Sequence, residues 1–283
     1  MSIILSGAPV ASALRERIKN KTENLKAQGV YPTLAVLSVG EEGDNEAYLR
    51  GLSKQAEACG IDLLSENLPA DVSQSRAEEA LRELGNDPAI HGILLLRPLP
   101  KSLNETALCR LIPAENDVDC ATDLSLAGVF SHRPLGFPPA TPRAVMEMLA
   151  YYQIPLAGKR AVIVGRSLVV GRPLAMMLLK EDATVTLCHS KTEKLEEICR
   201  QADILVAALG RPRALSRGCF RPGQVLVDVG IHRLEDGSLC GDLDFGAAEP
   251  LAEAITPVPG GVGTVTTAVL LSHVITAAEN NIL

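Results

Sequence analysis

Short apolar runs alternate with stretches of helical period along almost the whole chain, and that alternation leaves few ways to fold. Thr33 to Val39, Ile61 to Leu64, Gly92 to Leu95, Ala161 to Val164, Thr184 to Cys188, Ile204 to Ala207 and Val225 to Val229 read as strands. Between them the spacing of Val10, Leu14, Ile18 and Leu25 predicts a helix from Ala8 to about Gln28. Further helices are expected from about Asp44 to Cys59, from a capped start near Ser75 with Glu78 three residues on, after Gly171, and from Leu195 to Ala202. Repeated strand-helix-strand units imply right-handed crossovers and a largely parallel sheet, so the fold class is α/β.

With 283 residues, 47% of them hydrophobic, the chain can bury two cores. The turn-rich stretch from Asn116 to Pro139 reads as a connector, after which Thr141 caps a new helix with Pro142 in its first position. Two α/β domains are therefore expected, over residues 1–138 and 139–265, with a last helix from Thr266 packing back on the first. A net charge of −7 argues against a nucleic-acid footprint and for a small-molecule partner. No apolar run is long enough to cross a bilayer, and the first residues turn charged too early for a secretory signal, so a cytoplasmic protein is expected. Seven cysteines without a CxxC pair suit reduced, packed thiols, and five scattered histidines give no metal site.

The sharpest local motif is AVIVGRSLVVGRPLAMMLL, in which an apolar strand runs into Gly165, Arg166 and Ser167, then Gly171 and Pro173 at a helix start. Glycines let backbone approach a phosphate, and a helix N-terminus offers unpaired amides and a favourable dipole. The motif differs from GxGxxG, and a plain strand-turn-helix would share its outline. After the next strand, where an NAD site would place a ribose-binding acid, the chain reads His189, Ser190 and Lys191. Arg166, Ser190 and Lys191 suit a 2′-phosphate, which favours NADP, although Lys191 alone is equally readable as a solvated loop lysine.

Together and in order, VGRSLVVGRP, CHSKT, VDVGI at Val227 to Ile231 and TPVPGGVG at Thr256 to Gly263 resemble the methylenetetrahydrofolate dehydrogenase/cyclohydrolase (FolD-type) family. GILLLRPLP, DVD at Asp117 to Asp119 and ATPRAV extend the resemblance over nearly the whole chain. It implies a folate-binding α/β domain, a Rossmann-like NADP domain, a cleft between them and a homodimer. By position it assigns Gly165, Arg166, Ser167, Ser190 and Ile231 to NADP. Asp119 falls to the amino edge of the pterin, and Pro259, Gly260 and Gly261 to the folate and nicotinamide. Tyr48, Leu52, Leu96 and Pro98 fall on the folate side, with Tyr48 and Asp119 as the catalytic candidates.

Two departures set this chain apart from the bifunctional members of that family. Their helical Tyr is followed four residues later by Lys, whereas Tyr48 is followed by Leu52; their strand Gln is Leu96, and a neighbouring Leu is Arg97. Hydrocarbon cannot move a proton, so hydride transfer is expected to survive and hydrolysis of the methenyl product to be lost or weak. Strand alternation would turn Arg97 away from the direction of residue 96 unless the turn has begun there. Two other readings stay open at this level: an NADP-dependent oxidoreductase acting on another reduced pterin or an imine, and a non-catalytic folate- or NADP-binding paralogue.

Overall fold

The computed structural model describes residues 2–40 and 46–281. Its contacts divide into two compact units, residues 13–140 with 267–283, and residues 1–12 with 141–266. The division falls inside α1 (Gly7–Ala27), a helix of 21 residues.

In the first unit, β2 (Thr33–Val39), α2 (Glu46–Ala58), β3 (Asp62–Leu68), α3 (Gln74–Asn86) and β4 (Gly92–Leu95) follow in turn. The three strands form a parallel sheet in the order β3-β2-β4. The expected start of α2 near Asp44 lies outside the described residues. β3 runs past Leu64 through Ser65, Glu66 and Asn67, pairing with β2 over seven residues. It is an edge strand, so its polar half needs no apolar cover. The cap of α3 is Ser73, not Ser75: the Ser73 hydroxyl accepts from Arg76 N at 3.2 Å. Two apolar cores flank the sheet. Leu94 and Leu96 join one with Leu52, Phe137 and residues of the last helix, while Leu95 joins the other with Leu81 and Leu108.

The stretch expected as a connector is structured. After α4 (Glu105–Cys109), α5 (Asp123–Ser131) begins at the Thr122 cap, and Asp117 holds that start in place. The buried Asp117 carboxylate accepts from Ala121 N, Thr122 N, the Thr122 hydroxyl and the Ser125 hydroxyl. α6 (Ala140–Tyr151) then starts at Ala140, so Thr141 lies within the helix and does not cap it.

The second unit contains β5 (Arg160–Val164), α7 (Gly171–Lys180), β6 (Thr184–Cys188), α8 (Leu195–Gln201), β7 (Ile204–Ala207) and β8 (Gln224–Asp228). A short hairpin of β9 (His232–Arg233) and β10 (Leu239–Cys240), then α9 (Phe245–Ala248) and β11 (Ala252–Ile255) complete it. Its six-stranded sheet has the order β1-β11-β8-β7-β5-β6, where β1 is Ile3–Ile4. Residues 1–12, expected in the first domain, belong here because β1 pairs parallel with β11 and Leu5 N donates to Ile255 O at 2.8 Å. The last helix, α10 (Thr266–Asn280), falls in the first unit. There its buried Leu270, Leu271 and Val274 share a core with Leu34 and Leu94, and His273 stacks on Phe137.

Candidate functional site

In the first unit, Tyr48, Leu94, Leu95, Leu96, Arg97 and Asp119 line an open pocket of about 420 Å³ at the C-terminal end of β4. Its position follows from the topology: parallel strands deliver their last residues and the following loops to one edge, where ligands of open α/β sheets bind. The segment carrying Asp119 is tied to that edge by a parallel bridge between Ile93 and Asp117.

Three polar groups meet there. Asp119 keeps 30% of its side chain exposed, yet partial burial pushes its carboxyl up to about pKa 6; the Arg97 guanidinium pulls the other way, and the Asp117 charge adds to the rise. Arg97 Nη2 stands 3.6 Å from Asp119 Oδ2, and Nη1 stands 3.7 Å from Glu105 Oε1. Tyr48 keeps 44% of its surface exposed, and partial burial of its phenol, with the Asp119 charge nearby, pushes the hydroxyl up to about 12. The site therefore holds a neutral phenol, a carboxylate and a guanidinium around apolar walls.

Leu52 does not reach this pocket. It is 1% exposed and sits in the same buried cluster as Leu96, which is 8% exposed. Pro98 follows Arg97 across a cis peptide bond and is exposed beside the site. Arg97 enters the pocket because β4 ends at Leu95: Leu96 N still bonds Leu37 O at 2.9 Å, and the chain then turns into Pro98. The condition under which Arg97 could face the site is thus met. Its signal in the sequence was the following proline, which holds the preceding residue extended and breaks strand periodicity.

The second unit holds the nucleotide-type turn. Gly165, with φ 135°, lies so close to β7 that a Cβ would run into the Ala208 carbonyl oxygen, and a Cβ at Gly171 would run into the Gly165 carbonyl oxygen. Only glycine leaves this turn shallow enough for a phosphate to approach the start of α7, a ten-residue helix whose dipole favours negative charge. Ser167 accepts from Val170 N at 3.0 Å and shapes the turn. Arg166 is exposed beside it. Pro173 is buried in the first turn of α7, where a missing N–H costs nothing.

At the end of β6, His189 serves the turn itself: its Nδ1 accepts from Lys191 N at 3.1 Å, and its backbone N–H donates to the Thr192 hydroxyl at 2.9 Å. Ser190 and Lys191 are left exposed, as is Ile231 at 61%. Pro259, Gly260 and Gly261 lie after β11 in this same unit, and Gly7 N holds their turn by donating to Gly260 O at 2.7 Å.

Two buried carboxylates that sequence reading missed brace the loops at this edge. Asp242 accepts from Leu209 N, Gly210 N and Arg211 N and from His232 Nε2, the last at 2.7 Å. Asp228 accepts from Gly230 N, Asp242 N and Leu243 N. Asp228 stands in the VDVGI motif, but Asp242 lies in a segment with no periodic signal. Among the described residues no three His, Cys, Asp or Glu side chains are grouped to hold a metal ion, and no helix is long and apolar enough to cross a membrane.

Comparison with known proteins gives a consistent result. Residues 5–119 match the model of the tetrahydrofolate dehydrogenase/cyclohydrolase catalytic domain, and residues 139–282 match that of the corresponding NAD(P)-binding domain. The bifunctional protein FolD of Carboxydothermus hydrogenoformans is 51% identical over 277 residues, covering 97% of this chain and 96% of that protein. Among solved structures, the bifunctional FolD enzyme of Campylobacter jejuni superposes with a TM-score of 0.96 at 38% identity, covering 99% of each chain. The Trypanosoma brucei dehydrogenase-cyclohydrolase, solved with NADP and an inhibitor, gives 0.92 at 33% identity, covering 99% of this chain and 98% of its own.

Proposed function

The chain belongs to the tetrahydrofolate dehydrogenase/cyclohydrolase family, and from that premise we propose that it is an NADP-dependent 5,10-methylenetetrahydrofolate dehydrogenase whose cyclohydrolase step is weak or lost. The observation that carries the second half is the apolar wall of the pocket. Leu96 lines that wall and Leu52 packs in the same buried cluster behind it, so neither position 52 nor position 96 offers an ammonium or an amide to Tyr48.

In this reading NADP, when bound, supplies the hydride acceptor. Gly165 and Gly171 keep the turn shallow for the pyrophosphate, and the start of α7 meets its charge. Arg166, Ser190 and Lys191, all exposed around the turn, offer cation and hydroxyl to a 2′-phosphate. In the pocket, the Asp119 carboxylate accepts two hydrogen bonds from the amino-pyrimidine edge of a reduced folate. Expulsion of hydride is driven by a ring-nitrogen lone pair of the substrate, so the protein contributes placement and exclusion of water.

Hydrolysis asks for more. Water must add to the methenyl carbon and protons must be redistributed, and a phenol held protonated by a pKa of about 12 is a poor base at neutral pH. The bifunctional relatives are named for both activities; the apolar pair at 52 and 96 is the reason for proposing one activity here. The test supplies methenyltetrahydrofolate directly and follows its disappearance with and without protein. Disappearance at the buffer rate is expected while NADP reduction by methylenetetrahydrofolate proceeds, and hydrolysis proportional to protein concentration would refute the monofunctional reading. A homodimer in the cytoplasm is proposed with it, on the family resemblance.

A further inference from the structure

We propose that Arg97 is a positioning residue of the pocket, whose guanidinium holds the Asp119 carboxylate in the ionised form that a ligand with paired hydrogen-bond donors requires. The inference rests on reading the pocket as a pterin site and concerns what keeps that site competent.

The geometry is specific. Arg97 lies between two carboxylates, 3.6 Å from Asp119 and 3.7 Å from Glu105 in the first turn of α4. Both separations exceed a hydrogen bond, so the guanidinium lends Asp119 its charge without consuming the oxygen lone pairs that a ligand would use. Glu105, itself half-exposed, stands near the other end of the fork.

The other side chains around Asp119 oppose its ionisation or are neutral. Asp117, two residues away, accepts four hydrogen bonds, and its charge raises Asp119. Tyr48 is protonated, Cys120 is a buried thiol pushed far up by burial and by the two aspartates, and Leu94, Leu95 and Leu96 offer nothing polar. A backbone hydrogen bond from Ala140 helps the charged form. Burial already places Asp119 at about 6 with Arg97 present, so loss of the cation moves its titration into the physiological range. The sign follows directly. Both oxygens accept only when the carboxyl is ionised, since protonation turns one of them into a donor, so folate use is lost as pH falls through the Asp119 midpoint, and a higher midpoint moves that loss to higher pH.

The test uses the full chain labelled with ¹³C-aspartate, with Asp119→Asn to assign the resonance. Arg97→Leu and Arg97→Gln should each raise the Asp119 midpoint by about one pH unit or more, while Arg97→Lys should keep it near the original. The acid limb of kcat/KM for methylenetetrahydrofolate should follow in the same order. An unmoved midpoint in whichever neutral variants fold, or equal behaviour of the Lys and neutral variants, overturns the proposal. A wild-type protein that does not turn over folate would instead sink the pterin reading, and the ligand-free titration would still judge Arg97.

Discussion

At the scale of single residues, two side chains divide the proposed activity between the two units. Arg166 is exposed beside the Gly165 turn, where it can meet the phosphate that distinguishes NADP from NAD. Arg166→Ala should weaken NADP by roughly ten- to a hundredfold and leave NAD within about twofold, read as the ratio of dissociation constants by calorimetry. Equal losses would remove the phosphate role. Asp119→Asn should abolish folate turnover, because an amide cannot accept both donors, while NADP affinity stays within about twofold. A variant that lost NADP binding instead would place Asp119 elsewhere in the mechanism. Both residues stand in motifs visible in the sequence, and their roles are what these two variants test. Arg97 was visible but misdirected by strand alternation, since its path depends on where β4 stops pairing. Asp242 was not legible at all: its partners are the amides of residues 209–211, some thirty positions away, and backbone donors leave no mark in a sequence.

At the scale of elements, strands bounded by clear breakers announced themselves, and very short or irregular ones did not. β2, β4, β6 and β7 have the expected ends because each is a compact run with clear breakers at its margins. β1 has two residues, β9 and β10 two each, and β11 carries the exposed Glu253 at a register shift, so none offers a period to detect. α2 shows what an element costs to change. Its Leu52 is packed inside a cluster with Leu94, Leu96 and Leu270, and Leu52→Lys would bring an ammonium into that cluster unpaired. The variant should lose about 3 kcal/mol by denaturant unfolding and gain hydrolysis only partly. Adding Leu96→Gln supplies a polar neighbour, so the double variant should recover more hydrolysis than either single one. If neither gains any, the segment after Asp119, where Cys120 and Ala121 precede the Thr122 cap, becomes the cause to pursue.

At the scale of the whole chain, sequence order and structural membership disagree at the start. Twelve N-terminal residues belong with the unit that otherwise begins at Thr141, held there by β1 on β11, Leu5 N on Ile255 O, and Tyr152 Oη on Ser6 O at 2.8 Å. Gly7 N also closes the turn of Pro259 to Gly261, and a Cβ at Gly7 would strike the Gly261 carbonyl oxygen. A ligand that binds only the native state stabilises what it binds, by about 2.7 kcal/mol at a hundredfold excess over its dissociation constant. NADP at that concentration should therefore slow hydrogen exchange not only at residues 165–171 but also at the Leu5 and Gly7 amides, more than 150 positions earlier in the chain. The amides of β3, in the other unit, should respond less. Mass spectrometry of peptides spanning residues 2–10, 62–68 and 165–175 reads all three at once. Protection confined to the Gly165 turn would show that the N-terminal segment opens independently of the sheet it pairs with.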